Sequence, residues 1–528
     1  MSRTKKWTAL ILAGVMCMSL CACSDKEEKT AKTDIDLSGG YPIETNEELT
    51  YWMELSTNVS ATATNFGETE MAKELQKRTG VKVNYLHPAI GKGTEAFNLL
   101  VASGDLPDII EYHWSTAMPG GVNEAFSNQV IFPLNDLIEK YSPNLTKFIE
   151  ENPQLEGVLK TDDGKYYVYP SLKMDPRLNV TRGPVIRQDW LDELGIDAPE
   201  TLEEWEAMLI AFRDEKGASI PLTLQKGDVG HLYKLIGFTT EMYLENGKVS
   251  HAIYDENFKR GLKTLNRWYK EGLLDNNYAL NDTAILDSNM LNNHSGATFA
   301  SGGSGMGKWL LAKQGTEFDL IGVPLPTIDG KVNEYGSRNN AYNAYNSVAI
   351  TTKCKYPELA AKYLDYGYSE EGHMLYNFGT EGVSYEMIDG YPTYTDVIMK
   401  NPDGLSVSQA MSKYIRGNAS GPFNQDVRYI EQYYEIDSQK EALEAWQKQT
   451  ENSENKILPA LDMSMEESSE LGSFYSEVKT YCSENIVAFI MGKKPFSEFD
   501  DFVKNMEKLG IKRAIEIYQG AYERYKKR

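Results

Sequence analysis

Apolar runs and amphipathic stretches alternate near the start of the folded body. The runs that predict strands are 49–55, 81–86 and 108–112. Between them, Met71 with Leu75 and then the segment 97–101 predict two helices. Gly80 and Gly104 follow these stretches, where a glycine in the left-handed conformation commonly ends a helix. Strand, helix, strand, helix, strand is the order of a doubly wound parallel sheet, so the pattern predicts an α/β fold.

Further helix boundaries are visible later in the chain. Thr201 and Glu204 form a capping box ahead of an amphipathic stretch. Pro357 is expected to begin another helix, with Gly367 as its cap. Gly510 separates the two helices that are predicted at the end, 497–509 and 511–527.

The first residues have the pattern of an export signal. Arg3, Lys5 and Lys6 precede an uncharged apolar run that is shorter than the ~20 residues of a membrane span. The run ends in the segment 20–23 (Leu-Cys-Ala-Cys), which resembles the bacterial lipobox. That resemblance implies a signal peptide over 1–22 and acyl chains such as palmitate on Cys23. An ordinary secretory signal with incidental cysteines is the alternative.

Composition limits the architecture and the partners. A polar, charged tether over 23–45 cannot bury a core. The 506 residues that follow the signal are enough for at least two lobes, at ~100–200 residues per domain. The signal contains three positive residues, so its removal would change the formal net charge of the chain from −23 to −26. Such a surface disfavours nucleic acid and direct adhesion to an anionic membrane.

Two cysteines remain in the body, Cys354 and Cys482. An oxidising compartment would permit a disulfide between them. Two buried free thiols are an equal alternative, and the sequence does not decide between the two.

Several segments resemble, in order, the hallmark segments of family 1 extracellular solute-binding proteins of ATP-binding-cassette (ABC) importers. They are Ala-Ser-Gly-Asp-Leu-Pro-Asp-Ile at 102–109, Pro-Leu-Asn-Asp-Leu-Ile at 133–138, Ile-Arg-Gln-Asp-Trp-Leu-Asp-Glu-Leu-Gly at 186–195, Tyr-Lys-Glu-Gly-Leu at 269–273 and Lys-Tyr-Pro-Glu-Leu-Ala-Ala at 355–361. The segment 515–525 is similar to the end of the long Gram-positive lipoprotein branch. Each motif is weak alone, and their order carries the resemblance.

The resemblance implies a two-lobed, type 2 periplasmic-binding-protein-like fold, in which each lobe has a central sheet flanked by helices and a hinge joins the lobes. By analogy, lobe 1 takes 46–165 and 345–385, and lobe 2 takes 166–344 and 386–528. The chain is expected to cross between them near 167–171, 339–346 and 386–394.

The implied function is capture of a carbohydrate, for this long branch an oligosaccharide, in the cleft between the lobes. The ligand would then pass to the permease subunits of an importer. We expect a monomer that the lipid holds at the outer face of the cell membrane.

A sugar offers hydroxyl groups and apolar C–H faces, so its site needs aromatic rings beside amide, carboxylate or Arg groups. Loops that follow predicted strands, and one predicted crossover, carry such residues. The candidates are Asn58, Asn65, Trp114, Ser301, Trp309, Arg338, Asn339 and Tyr342. For most of the 33 Tyr and 8 Trp, the alternative is an ordinary place in the core or on the surface.

Catalytic signatures are weak. Gly302 to Lys308 has phosphate-loop spacing, but Trp309 stands where Ser or Thr would hold Mg²⁺. The six His residues show no metal-ligand spacing, and no nucleophile elbow is present. A pair of carboxylates for glycoside hydrolysis stays open, although Asp162 to Gly164 are explained by a hairpin turn. We therefore expect no enzyme, cofactor or metal; a glycoside-active enzyme or a binder of another ligand such as a peptide is the alternative.

Overall fold

The computed structural model describes residues 35–118, 120–336, 342–417 and 419–528. The predicted lipobox and Cys23 lie outside these ranges. The strands are β1 (Glu48–Trp52), β2 (Lys82–Leu86), β3 (Ile109–Tyr112), β4 (Tyr169–Leu172), β5 (Arg182–Arg187), β6 (Tyr243–Glu245), β7 (Lys248–Ser250), β8 (Ala297–Ser301), β9 (Leu320–Gly322), β10 (Tyr342–Ile350), β11 (Tyr385–Ile388) and β12 (Tyr391–Tyr394).

Helices surround the strands along the whole described chain. They are α1 (Thr57–Ser60), α2 (Glu70–Thr79), α3 (Gly93–Ser103), α4 (Trp114–Ala117), α5 (Gly121–Ser127), α6 (Asn135–Tyr141), α7 (Pro143–Glu151), α8 (Glu156–Leu159), α9 (Gln188–Leu194), α10 (Leu202–Asp214), α11 (Val229–Leu235), α12 (Glu256–Lys270), α13 (Thr283–Leu291), α14 (Lys308–Ala312), α15 (Pro357–Asp365), α16 (Glu370–Phe378), α17 (Asp396–Met399), α18 (Val407–Tyr414), α19 (Val427–Tyr433), α20 (Asp437–Glu451), α21 (Met465–Ile490), α22 (Phe499–Leu509) and α23 (Ile511–Tyr525). None of them, within the described ranges, has the length and apolar character that crossing a membrane requires.

The first sheet has the order β2-β1-β3-β10-β4. The predicted parallel start is confirmed, because β1 pairs in parallel with both β2 and β3. β10 then enters antiparallel to β3 and β4, from a point about 230 residues further along the chain. The carboxyl ends of β1, β2, β3 and β4 therefore lie at one edge of this sheet.

Several local predictions are confirmed. Gly80 and Gly104 end α2 and α3 in the left-handed conformation, with φ of 76° and 69°. Thr201 and Glu204 form the capping box of α10. Gly510, at φ 108°, separates the last two helices. Each of these signals works locally, because it satisfies the backbone groups that a helix end leaves unpaired.

Two local predictions were wrong. Helix α15 ends at Asp365, and Gly367 lies in the following 3₁₀ turn instead of capping the helix. A Cβ atom on Gly367 would lie 2.0 Å from the carbonyl oxygen of Pro422, so packing requires the glycine there. The turn at Asp162 is present, with Gly164 at φ 79°, but the chain before it is helix α8 and not a strand.

A second sheet has the order β8-β5-β9 with antiparallel pairing. Two hairpins, β6-β7 and β11-β12, stand apart from both sheets. The start of β5 and the end of β8 lie side by side, because Arg182 pairs with Ser301.

Buried apolar side chains form three clusters. The first cluster covers 43–172 and 342–376 and includes Phe423. The second cluster covers 186–328 and 458–517, and the third covers 178–320 and 378–446. The first cluster surrounds the first sheet, while the other two pack on the second. The exact limits of the two lobes stay a prediction.

The two cysteines are buried free thiols in different clusters: Cys354 lies in the first and Cys482 in the second. Burial raises the pKa of Cys482 to about 12 and that of Cys354 further above its usual value. Both side chains are therefore neutral packing groups at physiological pH.

A buried ion pair fastens a late segment of the chain to the first sheet. Arg416 Nη2 donates to Glu111 Oε1 at 2.6 Å, and both side chains are at most 6 % exposed. The Tyr51 hydroxyl donates to the other carboxylate oxygen at 2.7 Å. The Arg416 backbone N–H donates to the carbonyl of Tyr376, and its guanidinium lies 5.2 Å from the Phe66 ring centre.

We expect Arg416→Met to lower the free energy of unfolding by about 3–5 kcal/mol, because it leaves the Glu111 carboxylate buried without its partner. Urea unfolding followed by circular dichroism measures the change. The control is Lys400→Met, which removes an ion pair whose two side chains are 77 % exposed. Equal stability of the two variants would contradict the role of the buried pair.

Candidate functional site

The chain passes from the first sheet to the second through a short crossing segment. The chain leaves the first sheet at Leu172 and enters the second at Arg182. Leu172 also exchanges backbone hydrogen bonds with Phe423 and Gln425, so a second segment crosses beside the first. Ligand sites in open α/β sheets form at the carboxyl ends of strands.

Several cavities form a row along this region, and neighbouring cavities share lining residues. We name five of them by residues that line them. The glycine-turn cavity, about 860 Å³, shares Arg182 with the His231 cavity. The His231 cavity, only about 20 Å³, is the narrow point of the row; it shares Lys234, Tyr335 and Gly336 with the Lys456 cavity, which is about 230 Å³.

The row continues towards the first cluster. The Lys456 cavity shares Glu241, Met242 and Leu458 with the Cys482 cavity, about 670 Å³. The Cys482 cavity shares Tyr475, Lys479 and Tyr518 with the Ser115 cavity, about 340 Å³. The Ser115 cavity is also lined by residues 115–122 and by Tyr167, so the row ends between the first and second clusters.

The glycine-turn cavity is built at the end of β8. Residues Gly302–Gly307 make a π-helical turn, and the Gln439 side chain donates to the carbonyl of Gly302 at 2.7 Å. A Cβ atom on Gly303 would lie 2.6 Å from the Tyr433 ring, so glycine lets backbone and ring meet there. Tyr433 is the half-buried aromatic ring of this cavity.

Arg182 lies between the glycine-turn cavity and the His231 cavity. Its Nη1 pairs with Oδ1 of Asp228, which is 2 % exposed. Among the described residues the other oxygen, Oδ2, has no hydrogen-bond partner. Burial raises the pKa of Asp228 against the opposite effect of Arg182. Asp228 itself lines none of the five cavities, so its role is to hold the Arg182 guanidinium beside them.

His231 is an uncharged imidazole close to two cations, Arg182 and Lys234. Its ring lies parallel to Phe299, with 5.8 Å between the ring centres. Burial, with Lys234 and Arg182 nearby, lowers the pKa of His231 to about 4. A neutral imidazole can donate through one ring nitrogen and accept through the other, as recognition of a hydroxyl group requires.

Two tyrosine rings line the Lys456 cavity and lie against the lysine side chain. The Nζ atom of Lys456 lies 5.5 Å from the Tyr243 ring centre and 5.6 Å from that of Tyr335. Lys456 pairs with Glu245, and at 3.5 Å with Glu334. The Tyr335 hydroxyl donates to Asp255 at 2.5 Å.

The Cys482 and Ser115 cavities share an aromatic wall. The rings of Tyr475 and Tyr518 lie 5.9 Å apart and line both cavities. The Ser115 hydroxyl is buried and, among the described residues, has no hydrogen-bond partner. The row thus combines aromatic rings with hydroxyl, imidazole and carboxylate groups.

The structure places two predicted ligand residues, Ser301 and Tyr342, beside the row, while a third, Asn58, is not among the residues that line it. Ser301 lies at the end of β8, and its hydroxyl is 2.6 Å from that of Ser304, which lines the glycine-turn cavity. Asn58 is half-buried in α1. The Tyr342 hydroxyl is 3.2 Å from that of Tyr167, a lining residue of the Ser115 cavity. Ligand binding by these three stays a prediction.

Other predicted residues serve packing or capping. Trp114 is fully buried, and its indole N–H donates to the Ile110 carbonyl at 3.1 Å. Trp309 is 1 % exposed and donates to Asp287 at 2.7 Å. The side-chain oxygen of Asn65 accepts a hydrogen bond from the Gly67 backbone N–H and so caps a short 3₁₀ helix. Its side-chain NH₂ group donates to the Tyr85 carbonyl. These contacts favour structural roles, although Trp309 also lines the glycine-turn cavity, and ligand binding by the three stays a prediction. Arg338 and Asn339 lie outside the described residues.

Sequence reasoning missed the residues that line the middle of the row. They are Arg182, His231, Lys234, Tyr335, Tyr433 and Tyr475. Arg182 could have been found, because it opens the strand after the expected crossover at 167–171. The tyrosines carry no local signal, since only the packing of distant helices brings them together.

A family model described as "bacterial extracellular solute-binding protein" matches residues 63–374, more than half of the chain. The chain belongs to this family. The resemblance drawn from the ordered motifs is therefore confirmed. Members of the family and the relatives below are solute-binding proteins, which agrees with the expectation of a non-enzyme.

Relatives cover almost the whole solute-binding chain. The fructooligosaccharide ABC transporter substrate-binding protein FusA of Streptococcus pneumoniae is 24 % identical over 99 % of this chain and 98 % of its own. Lipoprotein LipO of Bacillus subtilis is 22 % identical over 78 % and 79 %. The crystal structure of the alginate-binding protein AlgQ2 without calcium ion has a TM-score of 0.75, with 26 % identity over 91 % and 99 %. The two-lobed α/β fold is thereby confirmed.

Within the described ranges no group of three or more His, Cys, Asp or Glu side chains is arranged to hold a metal ion.

We expect the stability of this protein to fall between pH 6.5 and pH 4, with His251 as one cause. Burial lowers its folded-state pKa to about 4, while the unfolded chain binds the proton near 6.5. The unfolded state therefore gains protons first as the pH falls, which costs roughly 2 kcal/mol between pH 7 and pH 5 for one such group. In urea unfolding, His251→Gln should lose less stability over that interval than the wild type. An equal loss would contradict the assignment.

Proposed function

We propose that this solute-binding protein captures a carbohydrate, an oligosaccharide, in the row of cavities and delivers it to an ABC importer. The observation that carries the proposal is the row itself. It brings Tyr433, Tyr335, Tyr243, Tyr475 and Tyr518 alongside polar groups in consecutive cavities. A linear oligosaccharide presents the same alternation of apolar faces and hydroxyl groups along its length.

The relatives support a carbohydrate as the ligand. FusA is named for fructooligosaccharides and AlgQ2 for alginate, and both match nearly the full length of this chain. Both names denote polymers or oligomers of sugars. A row of cavities fits such a ligand better than a single closed pocket of one sugar unit would.

Capture would use movement of the lobes. The first cluster would move as lobe 1, and the second and third as lobe 2, about the crossing segments near Leu172 and Phe423. The Ser115 cavity lies between residues of the first and second clusters, so closure would alter its width. Hinge motion about a few crossing segments is a common mechanism of closure around a ligand.

We further propose that lipid on Cys23 and the tether over 23–45 hold the monomeric protein at the outer face of the cell membrane. The lipobox-like segment before Cys23 and the name of the relative LipO support this anchor. Two or more acyl chains would anchor firmly, whereas one binds only marginally. Near the membrane the protein would meet the permease subunits of the importer.

Thermal unfolding of residues 24–528 with a panel of oligosaccharides tests the proposed capture. A ligand at 100 times its Kd adds about 2.7 kcal/mol to the stability, and the melting temperature should rise. Tyr475→Ala, which removes a ring shared by two cavities, should weaken binding by roughly tenfold. Tyr525→Ala is the matched control, since Tyr525 is equally half-buried and does not line the five cavities.

A rise with peptides but with no sugar would contradict the carbohydrate proposal. Chromatography of the ligand after overnight incubation separates binding from hydrolysis, because a binding protein returns its ligand unchanged. Appearance of a product would indicate a glycoside-active enzyme.

Cys23→Ala should release the protein into the culture medium, because the side chain that would carry the acyl chains is lost. Immunoblots of membrane and medium fractions measure the distribution. Cys21→Ala serves as the control and should leave the protein in the membrane fraction. A Cys23→Ala protein that stays with the membrane would show that the anchor lies elsewhere.

A further inference from the structure

Basic side chains of the row are largely neutralised by carboxylates of the protein itself. The ion pairs are Arg182 with Asp228, Lys308 with Asp287, Lys456 with Glu245, Lys160 with Glu156 and Arg528 with Asp162. These pairs occur from one end of the row to the other. They include the arginine between the glycine-turn and His231 cavities and the lysine that contacts two aromatic rings.

The remaining charged groups of the lining balance each other. Within the described chain, Lys234 and Lys479 form no ion pair; Lys234 donates to the Gly336 carbonyl and Lys479 lies over the Tyr475 ring. Glu241 and Glu435, which are exposed, likewise form no ion pair there. The lining thus contains two lysines and two carboxylates that form no ion pair in the described chain, and their formal charges cancel.

An acidic sugar needs a different arrangement. A uronate, sulfate or phosphate group is usually held by an arginine fork or by lysines that are free to bind it. Arg182 is the arginine between the glycine-turn and His231 cavities, and its partner Asp228 is 2 % exposed. Diverting Arg182 to a ligand would leave this carboxylate buried without a counter-charge, which is strongly unfavourable.

The other polar groups of the row suit hydroxyl groups. His231 is uncharged at physiological pH, and Ser115 is a hydroxyl group without a partner among the described residues. The formal charge of −26 on the mature chain adds repulsion of anions at short range, within a Debye length of ~8 Å in physiological salt.

We infer that the row binds an uncharged oligosaccharide, one without uronate, sulfate or phosphate groups. The inference rests on the proposed function and adds the charge of the ligand to it. It separates this chain from AlgQ2, whose named ligand, alginate, is a polymer of acidic sugars.

Isothermal titration calorimetry of residues 24–528 with two sets of oligosaccharides tests the inference. The neutral set holds fructo-, malto-, xylo-, manno- and galacto-oligosaccharides, and the acidic set holds alginate and galacturonate oligosaccharides. We expect a member of the neutral set to bind at least tenfold more tightly than any of the acidic set. AlgQ2 with alginate oligosaccharide is the positive control for the acidic set.

The outcomes separate the two proposals. Tighter binding of an acidic oligosaccharide would overturn the inference about charge and keep the proposed capture of carbohydrate. Binding of neither set, with a response to peptides, would overturn the proposed function and the inference with it.

Salt dependence gives a second measurement on any neutral ligand found. Its Kd should change less than twofold between 20 and 500 mM NaCl, because ion pairs inside the protein are not exchanged for ligand charge. A tenfold weakening in high salt would show that charge attraction contributes to binding and would contradict the inference.

Discussion

The arrangement of the crossing segments depends on the buried ion pair between Glu111 and Arg416. Glu111 is on β3 at the centre of the first sheet, while Arg416 lies about 300 residues later in the chain. The pair fixes the segment that continues to Phe423, which packs on Tyr376 in the first cluster. That segment in turn exchanges hydrogen bonds with Leu172. Because Leu172 leads to Arg182, this buried contact helps to hold the start of the second sheet beside the first.

The sequence predicts the local parts of this fold well. Helix ends at Gly80, Gly104 and Gly510 follow from backbone groups that a few neighbouring residues satisfy. The prediction that Gly367 caps a helix was wrong, because a close contact with Pro422, 55 residues later, requires glycine there. The backbone angle at Gly367 does not require it. The insertion of β10 between β3 and β4 is equally long-range, and no pattern near any of these strands specifies it.

The rule that ligand residues follow strands predicts loops that border the cavities, but it does not predict which side chains of those loops line them. The loop after β3 does reach the row, but Trp114 turns inward while its neighbour Ser115 lines a cavity. Trp309 and its neighbour Lys308 both line the glycine-turn cavity, but Trp309 is almost wholly buried while Lys308 is exposed. One residue along a helix rotates the side chain by about 100°, so a strand-end rule locates the loop and not the contacting residue. The largest aromatic residue in such a loop often belongs to the core, because it has the most area to bury.

The charges of the row hold its aromatic rings in place. Lys456, paired with Glu245, lies against Tyr243 and Tyr335, and Asp255 accepts from the Tyr335 hydroxyl. Rings that are fixed before the ligand arrives lose little conformational freedom when it binds, so a modest set of contacts gives useful affinity. The same pairing occupies most of the positive charge that an acidic sugar would require. Among the described residues, the unpaired Lys234 and Lys479 are matched by the unpaired Glu241 and Glu435. The ion pairs that line the row therefore account both for the fixed positions of the Tyr243 and Tyr335 rings and for the selectivity for an uncharged ligand.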